Sequence, residues 1–210
     1  MGFGNKRVWL AMAGLVILTS PTWTVAAPCS AVAGNLVQNC GFETGNFTDW
    51  TVAANATGVV TAGYAGEDPH SGTYFAALGD TSGSYPYGTL SQTITDVSGQ
   101  TYTLSYWLES DGATPNYFDA NWDGTLIAGS ALTDTPDQLS TGYVNYTFTV
   151  TATGSDTLLF HEQNVPAYWA FDDISLAPTT ATGVPEPATL GLLAFGALAA
   201  LGIGRRRVRK

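Results

Sequence analysis

The stretch "TYTLSYWL" sets the first constraint on fold. Tyr102, Leu104, Tyr106 and Leu108 fall on one side of an extended chain, and Thr101, Thr103, Ser105 and Trp107 on the other. Strict alternation of this kind is the signature of a strand with one buried face. It recurs in "YVNYTFTVT", where Val144, Tyr146, Phe148 and Val150 alternate with Asn145, Thr147, Thr149 and Thr151. "GTLSQTITDV" places Leu90, Gln92 and Ile94 together, and "DTLLFHEQ" and "WAFDDISL" extend the series. Turns rich in Gly, Asp and Ser separate these stretches, and no helical periodicity interrupts them. About eight to ten short strands without long helices imply an all-β jelly-roll β-sandwich.

Charge is laid out unevenly. The chain has 210 residues and a formal net charge of −10. All seven basic residues lie at the ends: Lys6 and Arg7, then Arg205, Arg206, Arg207, Arg209 and Lys210. The interval Val8–Gly204 contains no Lys or Arg and all seventeen carboxylates. Without cations to meet phosphates, nucleic-acid binding is excluded for this interval. Its carboxylates must be solvated, hydrogen-bonded or paired with metal ions, and the field they create attracts cations.

The ends read as processing segments. Lys6 and Arg7 precede the apolar "VWLAMAGLVIL", and small residues follow, so residues 1–27 read as a signal peptide. Cleavage sites stand after Ala26, Ala27 or Ala33. Export fits the two cysteines, Cys29 and Cys40, which an oxidising compartment lets pair. Such a bridge would pin the start of the mature chain onto the first strand. Residues 28–177 form the domain, and 178–187 a linker. Residues 188–204 carry no charge and at about 1.5 Å per residue reach a marginal membrane span as one helix. The basic tail 205–210 would then stay cytoplasmic.

Val184, Pro185, Glu186 and Pro187 precede that span. "VPEP", one span and a terminal arginine cluster together resemble the PEP-CTERM sorting signal. The resemblance implies a bacterial inner-membrane-anchored precursor, recognised at the triplet by an exosortase-type enzyme. The mature protein would then reside in the cell envelope or extracellular matrix.

Within the domain, "GNLVQNCGFETGNFTDWTV", "HSGTYFAAL" and "FDDISL" resemble the landmarks of galactose-binding-like jelly rolls, which include many carbohydrate-binding modules. Gly41, Phe42, Glu43, Phe47 and Trp50 fit the pattern, and Cys40 replaces its first Gly. The resemblance implies a structural Ca2+ held by the Gly41 carbonyl and the carboxylates of Glu43 and Asp172. Asp68 and a carbonyl near Thr73 would complete the set. Asp172 stands two before Ile174, so regular alternation puts both on one face; if that face is inward, the carboxylate needs a partner.

"DANWDG", Asp119 to Gly124, matches half of an EF-hand loop, but Ser130 stands where its last ligand would be. A strand with Phe118, Ala120 and Trp122 inward, closed by an Asp-Gly turn, describes it better. For polysaccharide, the candidate contacts are Trp107, opposite the apolar face of its strand, Tyr117, and Gln163, Asn164, Tyr168 and Trp169 in the loop before the final strand. Aromatic faces would stack on sugar rings and amides would hold hydroxyls. The only histidines, His70 and His161, lie in no nucleophile motif. The expected protein is therefore a non-catalytic binding module. A structural acidic matrix protein without a specific ligand, or a small hydrolase, are the alternatives.

Overall fold

The computed structural model describes residues 27–53, 57–79, 87–138 and 141–179. The signal peptide, the PEP motif, the expected spanning helix and the basic tail lie outside these. Two antiparallel sheets pack face to face. The first contains β1 (Thr51–Val52), β4 (Gly88–Thr95), β6 (Asn116–Trp122), β7 (Thr125–Leu126), β8 (Leu132–Thr133) and β10 (Ser155–Asn164). Its order is β1-β4-β10-β6-β7, with β8 also on β6. The second contains β2 (Thr57–Thr61), β3 (Phe75–Gly79), β5 (Thr101–Ser110), β9 (Val144–Thr151) and β11 (Trp169–Pro178), in the order β2-β3-β11-β5-β9. Successive strands β9, β10 and β11 change sheets at each step, as a jelly roll requires.

Alternation decides what enters the core. Tyr102, Leu104, Tyr106 and Leu108 are all buried, as are Leu90, Ile94, Leu158 and Phe160 from the facing sheet. Phe118, Phe160 and Phe171 form an aromatic centre, with ring centroids 4.8–5.7 Å apart. Fully burying each such ring contributes roughly 1.5–3 kcal/mol. Gln92 shares the inward face with Leu90 and Ile94. Its side chain is satisfied there by the Gln38 N–H and by the Gln38 and Asp49 carbonyls.

Two local expectations change. Residues 34–40 form no first strand: Gly34 and Gln38–Cys40 are turns, and 35–37 between them are irregular. The Leu36 N–H donates to the Leu176 carbonyl, and the Leu176 N–H to the Asn35 side chain, so a side-chain amide takes one rung of a backbone ladder. Cys29 and Cys40 do form a disulfide, but it ties a 3-10 turn (Cys29–Ala31) to a turn. The second change is in β11. Asp172 pairs with Trp107 and Ser175 with Ser105, so the strand carries an extra residue between them. This bulge resets the alternation. Asp172 therefore projects from the outer face beside Trp107, while Ile174 enters the core.

Segment 62–74 covers the outer face of the second sheet. Beneath it Phe75, Ala77, Tyr168 and Ala170 form a smaller apolar cluster with Tyr143 against it. The outer face of the first sheet carries polar residues instead, with Asp119, Asn121 and Gln163 buried and Tyr117 and His161 half-buried, and that difference positions the site.

Candidate functional site

Strand β6 turns its polar residues outward because Phe118, Ala120 and Trp122 are inward. Asp123 and Gly124 close the hairpin at φ 48° and 71°, the left-handed conformations that a tight two-residue turn demands. Tyr117, Asp119 and Asn121 thus line the outer face of the first sheet. On β10, Gln163 lies opposite Tyr117, and His161 opposite Asp119. On β4, Thr89 lies opposite His161.

These side chains form a network. The Tyr117 hydroxyl donates to Asp119 Oδ2 at 2.6 Å, and the Asn121 amide donates to Asp119 Oδ1 at 2.6 Å. His161 Nδ1 lies 2.8 Å from Asp119 Oδ1 and 3.1 Å from the Asn121 amide nitrogen. Burial alone would raise the Asp119 carboxyl, but the bonds from His161 and Tyr117 outweigh it and hold Asp119 below its ordinary value. Burial and the neighbouring Asp119 carboxylate push the Tyr117 phenol up, so it stays a neutral donor. The Tyr87 ring stacks on Tyr117 with centroids 4.7 Å apart and planes 26° from parallel. Tyr87, Tyr117, Asp119 and His161 line a hollow of about 240 Å³. An aromatic platform beside a fixed set of polar groups can hold a flat polyhydroxylated ring.

A second cluster lies on the opposite sheet. The β11 bulge puts Asp173 at φ 49° and aims both adjacent carboxylates at segment 70–73. Asp172 Oδ2 accepts the Ser71 N–H at 3.2 Å, and its Oδ1 accepts the Asp173 N–H at 2.7 Å. Asp173 Oδ1 accepts the Cys29 N–H and its Oδ2 meets His70 Nδ1, each at 2.7 Å. Burial, then the Asp173 charge, pushes the Asp172 carboxyl up to about 8. Glu43 accepts the Thr73 and Tyr74 N–H groups, and a Cβ at Gly72 would stand 2.2 Å from its Oε1. Gly41 lies against Asp172 and Asp173, where a Cβ would be 3.4 Å from an oxygen of each.

Of the residues expected to hold calcium, Gly41, Glu43, Thr73 and Asp172 surround one another in this way. The ligand atoms of His70, Asp172 and Asp173 lie within 4.8 Å of one another, a group that contains neither Glu43 nor Asp68. Asp68 is exposed, and its carbonyl accepts the Tyr143 hydroxyl. His70 and Asp173 are the members that sequence reasoning missed: His70 meets the cluster only through folding, and only the bulge brings two successive carboxylates together.

The expected sugar contacts divide. Tyr117 and Gln163 reach the first sheet's outer face. Trp107 lies on the second sheet's outer face, stacked on His70 at 3.9 Å. Gln163 and Asn164 end β10 and Trp169 begins β11, so they are strand residues rather than loop residues. Trp169 is fully buried and donates to the Tyr117 and Gln163 carbonyls. Asn164 is buried and donates to Asp111 and the Tyr168 carbonyl, while Tyr168 packs edge-on against Tyr64. These three are occupied in packing, because the strands extend further than the turn residues Val165–Ala167 suggest. Tyr87, Asp119, Asn121 and His161 were missed. The outward alternation of Asp119 and Asn121 was legible; their meeting with His161 across two strands was not.

A profile of the PEP-CTERM protein-sorting motif matches residues 183–210. No curated protein matches the sequence. Among solved structures, the fold is similar to TmCBM61, solved in complex with β-1,4-galactotriose, at TM-score 0.51 and 19% identity, covering 70% of this chain and 99% of that one. It is similar to the C-terminal family 22 carbohydrate binding module of Clostridium thermocellum Xyn10B, at TM-score 0.51 and 13% identity, covering 71% and 97%. It also resembles the enzymatically active domain of Bacteriophage CBA120 tailspike protein 4, at TM-score 0.50 and 15% identity, covering 69% of this chain but only 21% of that one. At these identities the likeness is one of fold. The chain is thus an exported, envelope-directed protein with a PEP-CTERM sorting motif, and its described domain has the jelly-roll fold of carbohydrate-binding modules.

Proposed function

We propose that the domain is a non-catalytic polysaccharide-binding module whose ligand lies on the outer face of the first sheet. The stacked pair Tyr87–Tyr117 beside the Asp119–Asn121–His161 network carries this reading. The rings supply an apolar platform for the CH face of a sugar, and Asp119 and His161, which line the same hollow, supply polar groups for its hydroxyls. Tyr117, Asp119, Asn121 and His161 are already oriented by one another, so little side-chain freedom is lost on binding. In this role the sorting motif delivers the module to the envelope, where an exosortase would process the tail at Pro185–Pro187.

Calcium would serve the fold at the second cluster. The Asp172 and Asp173 carboxylates, Glu43 and the Gly41 carbonyl offer hard oxygen ligands of the type the ion takes. The donor chemistry fits: Asp172 is fully buried, and no Lys or Arg exists between Val8 and Gly204 to neutralise it. A bound ion would lock segment 70–73 onto β11.

A glycan array probed with the full chain tests the main reading. Binding to at least one polysaccharide class is expected, weakened about tenfold or more by Tyr117→Ala. Clean failure across the array by a folded protein would support the purely structural alternative.

A further inference from the structure

The charge of the first sheet's outer face narrows the ligand beyond polysaccharide in general. Asp119 forms its floor, 5% exposed, and its oxygens accept from Tyr117, Asn121 and the His161 ring. Those bonds keep it ionised. No Lys or Arg stands anywhere between Val8 and Gly204, whereas sixteen carboxylates precede the sorting motif. His161 is the only residue on this face able to carry positive charge, and it is already turned toward Asp119.

A uronate or sulfated sugar laid on Tyr87 and Tyr117 would bring a second anion over a fixed carboxylate, with no free cation to compensate it. Such like-charge contact is a strong basis for rejection. An ammonium group meets the opposite situation. It is drawn by the carboxylate beneath, by the negative field of the domain, and by the faces of two tyrosine rings.

We propose that this face selects glycans by charge: it takes polymers of amino sugars with free ammonium groups in preference to neutral isosteres, and it rejects polyuronates. The proposal rests on the reading of the face as a glycan site. Asp119 is the specificity-determining residue. Tyr87 and Tyr117 provide contact that neutral sugars share.

The test is calorimetric titration of the detergent-purified full chain with β-1,4-linked hexamers of glucosamine, glucose and mannuronate at about pH 6, where the amines are protonated. Glucosamine hexamer is expected to bind about tenfold more tightly than glucose hexamer at low salt, and mannuronate hexamer not to bind. The preference should shrink at high salt. Asp119→Asn should bring the glucosamine-to-glucose ratio close to one, whatever it does to each affinity. Thr89→Glu, which adds a carboxylate to the same face across from His161, should raise that ratio. Thermal melts of both variants establish that they are folded. Equal binding of glucosamine and glucose hexamers, or a ratio untouched by both substitutions, overturns the charge proposal and leaves the glycan site standing. Binding of none of the hexamers by a protein that also fails on a glycan array removes both.

Discussion

Phe42 shows how much one residue organises. It is fully buried at φ 56°, between Phe47, Trp50 and Phe171 at centroid distances of 5.8–6.1 Å. Its conformation reverses the chain so that Gly41 lies against Asp172 and Asp173 while Glu43 meets Thr73 and Tyr74. Phe42→Ala is expected to cost about 3–5 kcal/mol, read as a lowered midpoint in chemical denaturation. An unchanged midpoint would mean that the turn holds without its ring. Gly72 is as constrained for the opposite reason: at φ +69°, any side chain would run into Glu43. The value of a Phe or a Gly at these positions was readable from motif resemblance. The left-handed φ of Phe42, which makes the turn work, was not.

At the scale of elements, segment 62–74 joins the two halves of the second sheet's outer surface. Its Tyr64 carbonyl accepts the Tyr168 hydroxyl, and His70 stacks on Trp107. Its Glu67 side chain meets Glu109 of β5, which is 2% exposed. Burial, then the bond and charge shared with Glu67, pushes the Glu109 carboxyl from 4.5 up to about 8, with Asp137 adding to the effect. The folded state therefore binds more protons than the unfolded chain across that window. Stability from this pair is fully present below about pH 4.5 and is lost as pH rises through about 8. The slope is bounded at about 1.4 kcal/mol per pH unit for one proton. Melting temperatures of the wild type should fall over this range, and Glu109→Gln should flatten the fall. A Glu109→Gln profile parallel to wild type would show that the pair does not govern it. The disulfide acts at the same scale. It closes a short loop, with a separation of 11 residues, so Cys40→Ser is expected to cost about 2–3 kcal/mol in denaturant titration. Loss of the Cys29 N–H bond to Asp173 would bring the cost higher.

For the whole molecule the governing fact is one-signed charge around a closed β-sandwich. Self-repulsion opposes compaction at every pH where the carboxylates are ionised. A specific ion site and general screening are separable by experiment. Thermal unfolding should show a calcium-specific rise of the midpoint, growing as ligand exceeds its dissociation constant and lost in Asp172→Asn. Equal effects of calcium and magnesium at matched ionic strength would assign the rise to screening and remove the calcium reading.

The split between sequence and tertiary structure follows the range of the interactions concerned. Local periodicity alone determined that β5, β6, β9 and most of β10 are strands, and which of their faces are buried, because side-chain direction in a strand depends only on its neighbours. The linear order of a short motif likewise determined the sorting signal, which is recognised as chain. Contacts between residues far apart were decided only by folding. His161 meets Asp119 across 42 residues and His70 meets Asp173 across 103. The β11 bulge is of the same kind: nothing in "FDDISL" announces an extra residue, yet it sends Asp172 outward and Ile174 inward. Register between strands is set by total packing of two sheets, and a single extra residue changes the side on which every later group falls.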